Sequence, residues 1–93
     1  MPFVMSFDPS GGGMSAEQYD KAIKKLEAAG VGNPTGRLYH VCFGEANNLK
    51  VIDVWDTVEN FQKFGNTLMP ILQQLSVDPG QPQIDATRNI IKG

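Results

Sequence analysis

The side chains able to do chemistry are few, and they fall close together. Histidine is the side chain that gains and loses a proton near neutral pH, and the chain contains a single one, His40. The only cysteine, Cys42, follows two positions later. Asp53 stands inside VIDVW, a stretch otherwise apolar. A carboxylate there is costly to desolvate unless it meets a partner or a wet cavity, and functional sites create local inconsistencies of this kind. A base with an acid to orient it suits general acid–base catalysis, so His40 and Asp53 form the candidate catalytic pair. The competing reading is structural, with the same two residues hydrogen-bonded at an interface between subunits.

Five further residues are candidates for holding a ligand. Trp55 offers an aromatic wall for a flat molecule, and Tyr19 offers a hydroxyl at the edge of a pocket. Arg88 and Asn89 offer an anchor for an anionic or carbonyl-bearing group. Cys42 shares a strand face with His40, although a lone cysteine also serves as a small buried hydrophobe. His40, Cys42 and Asp53 make a conceivable zinc set, but structural zinc wants four ligands and flat strands seldom converge that way, so no metal and no cofactor are expected. Gly11, Gly12 and Gly13 are followed by no Lys-Ser/Thr and are loop punctuation, not a phosphate loop.

Composition removes other classes. In 93 residues with a net charge of −2, eight Lys and Arg form no basic run, which argues against nucleic acid. A single cysteine supplies neither an internal disulfide nor a CxxC pair. The opening MPFVMSFDPSGGG has neither a basic region nor a long apolar one, and no stretch approaches about 18 apolar residues. The expectation is a cytoplasmic protein without membrane contact. A chain of this length makes one domain, residues 1–93, and buries only about 60–65% of its unfolded surface, so a second copy would add to its core.

These side chains must be positioned by a small set of elements. Phe3 to Phe7 reads as a strand closed by Asp8-Pro9-Ser10 and the three glycines. Ser15-Ala16-Glu17-Gln18 fits a capping box, and Tyr19, Ala22, Ile23 and Leu26 then fall on one helical stripe ended by Gly30. From Arg37 the period changes to two. Arg37 to Ala46 and Leu49 to Asp56 read as a hairpin turning at Asn47-Asn48 in type I′ geometry. Asp56-Thr57-Val58-Glu59 opens a second helix with Val58, Phe61, Phe64 or Gly65, Leu68, Leu72 and Leu75 on its buried stripe, and Pro70 predicts a kink. Ile84 to Ile91 is the last strand. The order β-α-β-β-α-β predicts an α+β ferredoxin-like fold, with a four-stranded antiparallel sheet and both helices on one face.

A turn at Asn47-Asn48 sets Ala46 opposite Leu49, Cys42 opposite Asp53 and His40 opposite Trp55. One side of the hairpin then carries His40, Cys42, Gly44, Val51, Asp53 and Trp55. The other carries Tyr39, Val41, Phe43, Ile52 and Val54, nearly pure hydrocarbon, and is the expected seat of the helices. The titratable set is therefore expected on the uncovered face.

MSAEQYDKAIKKLEAAG, GRLYHVCF and VIDVWDTVENFQKF, from Met14 to Phe64, resemble the small dimeric α+β-barrel proteins that include the antibiotic-biosynthesis monooxygenases. The resemblance covers most of the chain, and its sharpest element is VWDTVENFQKF. It implies a homodimer of face-to-face sheets enclosing a pocket. Some members oxidise phenolic or quinol substrates without metal or flavin, and no catalytic motif is shared by the whole group, so it says more about fold and dimer than about reaction. The combined expectation is a homodimeric small-molecule-binding protein that acts on a small aromatic or carbonyl compound by cofactor-free oxygenation or isomerisation. In that reading His40, oriented by Asp53, takes the proton. The alternatives are a non-catalytic ligand-binding or structural dimer, and a tautomerase using Pro2 as an amino-terminal base, where Pro2 otherwise simply starts a strand.

Overall fold

The computed structural model describes residues 2–7 and 14–91. The expected loop from Asp8 to Gly13 lies outside the described residues, as does Met1. The elements are β1 (Phe3–Phe7), α1 (Ala16–Ala28), β2 (Arg37–Glu45), β3 (Asn48–Trp55), α2 (Val58–Gln74) and β4 (Gln83–Ala86). The strands pair antiparallel in the order β2-β3-β1-β4, the ferredoxin-like arrangement the element order predicts.

Helix α1 starts and stops by local chemistry. The Ser15 hydroxyl accepts from the Gln18 N–H at 3.1 Å while the Gln18 side chain accepts from the Ser15 N–H at 2.9 Å, a complete capping box. At the other end Gly30 takes φ +81°, the Val31 N–H returns to the Leu26 carbonyl and the Gly30 N–H to that of Glu27. This is a Schellman close, with Val31 and Leu26 as its apolar pair. The start of α1 is tied to the hairpin tip, because Leu49 N–H donates to the Met14 carbonyl at 2.8 Å and Ala16 N–H to that of Ala46 at 2.6 Å. Helix α2 is capped by Thr57 and runs through Pro70 without interruption. Pro70 and Asn66 are both exposed, so the Asn66 carbonyl that loses its helical donor is left to water. Val58, expected on the buried stripe, is exposed, and Ile71 is buried in its place.

The hairpin turns one residue earlier than its asparagines suggest. Its turn residues are Ala46 and Asn47, neither at positive φ, so it is not type I′. Gly44 carries the positive φ, +105°, where a Cβ would stand 2.9 Å from the Asn48 carbonyl oxygen. The register moves by two: His40 faces Asp53 and Cys42 faces Val51. A shift of two leaves each residue on its own side of the sheet.

Which side the helices cover is the reverse of the expectation. Phe3, Met5 and Phe7 pair with Trp55, Asp53 and Val51, and all six are buried beneath the helices. Val41 and Phe43 are 52% and 42% exposed, on the bare face. The Phe3–Trp55 set packs under α2, closed by edge contacts of Phe61 with Phe3 and Trp55. The polar pair in its midst is tolerated because its members satisfy each other.

Candidate functional site

Strand β3 carries Asp53 into the interior at 2% exposure, and β2 sets His40 directly opposite it. His40 Nδ1 lies 2.6 Å from Asp53 Oδ1. With a carboxylate on that side, Nδ1 carries the ring proton and donates it, which leaves the Nε2 lone pair as an acceptor. Helix α1 fills that acceptor position: the Tyr19 hydroxyl stands 2.7 Å from Nε2. The two rings are nearly parallel, at 5°, with centroids 6.0 Å apart, a separation the in-line hydrogen bond accounts for. The result is a chain Tyr19–His40–Asp53 running from α1 across β2 to β3. Burial raises the Tyr19 phenol above its ordinary pKa, the charges of Cys42 and Asp53 act in the same direction, and Arg37 opposes them.

All three side chains line a cavity of about 50 Å³ between the sheet and the helices. Its other walls are mainly apolar, among them Met5, Phe7, Leu26, Phe64 and Leu72. The volume holds a few waters. A hydroxyl poised on a histidine base, facing an apolar chamber, can take a proton from a weak organic acid and store it on the imidazole beside a carboxylate.

No protein-family model and no curated protein matches the sequence. Solved structures do match the fold. A provisionally named antibiotic biosynthesis monooxygenase from Chloroflexus aurantiacus J-10-fl aligns with TM-score 0.65 and 11% identity, over 99% of this chain and 98% of that one. SnoaB, a cofactor-independent oxygenase from Streptomyces nogalater, aligns with TM-score 0.60 and 18% identity, over 99% and 96%. A second provisionally named monooxygenase, from Caulobacter crescentus CB15, gives 0.55 and 14% over 97% and 90%. The fold is that of the antibiotic-biosynthesis-monooxygenase group. At these identities the likeness concerns the fold, as the resemblance in the sequence implied.

Within this fold the expected site residues separate. Tyr19, His40 and Asp53 come together on the cavity. Trp55, expected as a ligand wall, is fully buried against Phe61 and Phe64 at ring separations of 5.6 and 5.4 Å, and does not line the cavity. Cys42 shares the His40 face but is packed against the core beside the cavity, and burial raises its thiol pKa. Arg88 and Asn89 are not on a strand, because β4 ends at Ala86, and both are exposed. Pro2 precedes β1, and its carbonyl accepts from the Thr87 N–H and hydroxyl, away from the cavity lining. Among the described residues no group of His, Cys, Asp and Glu is arranged to hold a metal ion, and no helix is long and apolar enough to cross a membrane.

One charged lining residue is not among the candidates the sequence offers: Arg37. Strict alternation puts Arg37 on the face opposite His40. The ladder slips between Arg37 and Tyr39, leaving Leu38 as the extra residue, so Arg37 pairs with Trp55 and joins the covered face. No residue in GRLYH marks such a bulge.

Proposed function

We propose that the chain is a cofactor-independent enzyme of the oxygenase type that removes a proton from a small phenol or activated carbonyl compound, working as a homodimer. The observation that carries the reading is the hydrogen-bonded chain Tyr19–His40–Asp53 on an apolar cavity. The substrate's proton passes to the Tyr19 oxygen as the Tyr19 proton passes to His40 Nε2, and the imidazolium is held by the Asp53 carboxylate. Apolar walls strengthen each of these interactions relative to water. The substrate anion is electron-rich and can reduce dioxygen: a methylene between activating groups and one dioxygen become a carbonyl and one water. SnoaB, of the same fold, is described as a cofactor-independent oxygenase, which supports this choice of reaction. The bare apolar sheet face supports a second copy as its cover.

A second reading draws on the size of the cavity. At about 50 Å³ it is far below the roughly 300–1,000 Å³ of ligand sites, which favours a chamber holding only water in a structural dimer. Oxygen uptake by the purified protein decides between them, measured with phenols, quinols and aryl ketones in the presence of a metal chelator. Uptake matched by loss of one compound supports the enzyme. Uptake no faster than in buffer for the whole panel, with no compound bound by calorimetry, leaves the structural reading.

A further inference from the structure

Among the described residues, the cavity that holds the proton chain has a single cation in its lining, Arg37. The guanidinium stands 5.7 Å above the Phe64 ring and Nη2 donates to the Gly32 carbonyl at 3.1 Å. These contacts, together with the bulge at Leu38, hold it at the covered face. Among the described residues no carboxylate lies within ion-pair distance of it. A half-buried arginine with no carboxylate beside it is free to meet an anion that enters the cavity.

Charge accounting says which anion. In the resting arrangement of the proton chain, with Nδ1 donating to Asp53 and Nε2 accepting from Tyr19, the imidazole carries no charge, and the Asp53 carboxylate and the Arg37 guanidinium are the charges of the site. Once a neutral acid has given its proton to the chain, His40 and Asp53 become a matched pair, and the substrate anion and Arg37 become a second. The site is neutral as a whole in both states, but only in the second does every charge have a partner beside it. We propose that Arg37 is the anion-binding residue of this cavity, holding the deprotonated oxygen of a phenol or enol whose proton has passed to Tyr19 and His40. This rests on the proton-abstraction reading above and adds a substrate class to it. A guanidinium presents paired N–H donors in one plane, so it selects a planar acid with a second oxygen near the first, such as a hydroxyl beside a carbonyl. The charge of Arg37 already acts on the Tyr19 phenol, in the direction that favours an anion there.

The test uses 2-nitrophenol, which carries a nitro oxygen beside its hydroxyl and whose ionisation is visible by absorbance near neutral pH, bound to the full chain and to Arg37→Met and Arg37→Lys. Arg37→Met retains an apolar stem over Phe64, and Arg37→Lys retains the charge if the first variant folds poorly. The wild type is expected to bind the phenolate about tenfold or more tighter than the phenol, as a charge-assisted hydrogen bond implies. Arg37→Met loses that preference and Arg37→Lys keeps part of it. Binding that persists with the preference unchanged in both variants overturns the role of Arg37 and leaves the proton chain standing. Failure of the dye to bind any of the proteins in either form overturns both.

Discussion

His40 Nδ1 stands 2.6 Å from Asp53 Oδ1, and the two residues are direct partners across β2 and β3. The sheet's own ladder therefore fixes the distance between base and acid, and no loop has to close to bring them together. The position of Tyr19 depends on α1, whose first turn is bonded to the hairpin tip through Met14 and Ala46. Backbone hydrogen bonds thus tie all three members of the chain to a common frame.

Replacing Asp53 by asparagine leaves an amide oxygen able to accept from Nδ1 but removes the charge that stabilises the imidazolium. Asp53→Asn is expected to lower turnover by about 10²–10⁴ while keeping the fold. Steady-state kinetics beside a thermal melt checks this. A melt that collapses in step with activity would make Asp53 a structural residue.

Trp55 serves the core and not the ligand. Trp55→Ala should cost about 3–5 kcal/mol of folding stability, read by urea denaturation. Trp55→Phe should cost much less, because the indole N–H has no hydrogen-bond partner to lose among the described residues. Ligand affinity in Trp55→Phe should stay within about twofold of wild type, less than one hydrogen bond is worth.

Alkaline pH should weaken the fold. The Cys42 and Tyr19 pKa values are both raised in the native state, chiefly by burial. The unfolded chain therefore loses these protons first as pH rises. Their contribution is fully present below the unfolded thiol's value and is lost as pH climbs through the folded one, so denaturation midpoints should decline above about pH 8.5. At pH 8 Cys42 should react with iodoacetamide more slowly than free cysteine does. A faster reaction would mean an activated thiol.

The bare sheet face is the expected dimer seam. A charge placed there meets its own copy or buried hydrocarbon across the interface, so Val41→Glu should convert dimer to monomer in sedimentation velocity. The same substitution on a monomeric wild type would leave the sedimentation coefficient unchanged.

Much of the scaffold was legible because it is written in local chemistry. The capping box at Ser15, the stop at Gly30, the period of two after Arg37 and the Thr57 cap need only neighbouring residues. That Asp53 needs a partner was legible, since a carboxylate in VIDVW demands one, but the expected register set Cys42 opposite it and the ladder sets His40 there. Three other features were not legible, and each depends on distant contacts. The covered side of the sheet is the one that carries Phe3, Met5 and Phe7, whose register against Trp55, Asp53 and Val51 is a long-range fact. A chain with two apolar sheet faces has no internal mark saying which one the helices take. Arg37 enters the cavity through a bulge, and Arg88 leaves the sheet because β4 stops at Ala86.

Proton abstraction can be measured without knowing the natural substrate, by following exchange of an acidic C–H into heavy water by NMR on a benzylic ketone such as 2-tetralone. The wild-type protein should accelerate the exchange well above buffer, with Tyr19→Phe and Asp53→Asn both returning it close to the buffer rate while remaining folded. Acceleration that is undiminished in both variants, or a ketone that binds to the wild type with no acceleration at all, would contradict the assignment of Tyr19–His40–Asp53 as the proton-accepting chain.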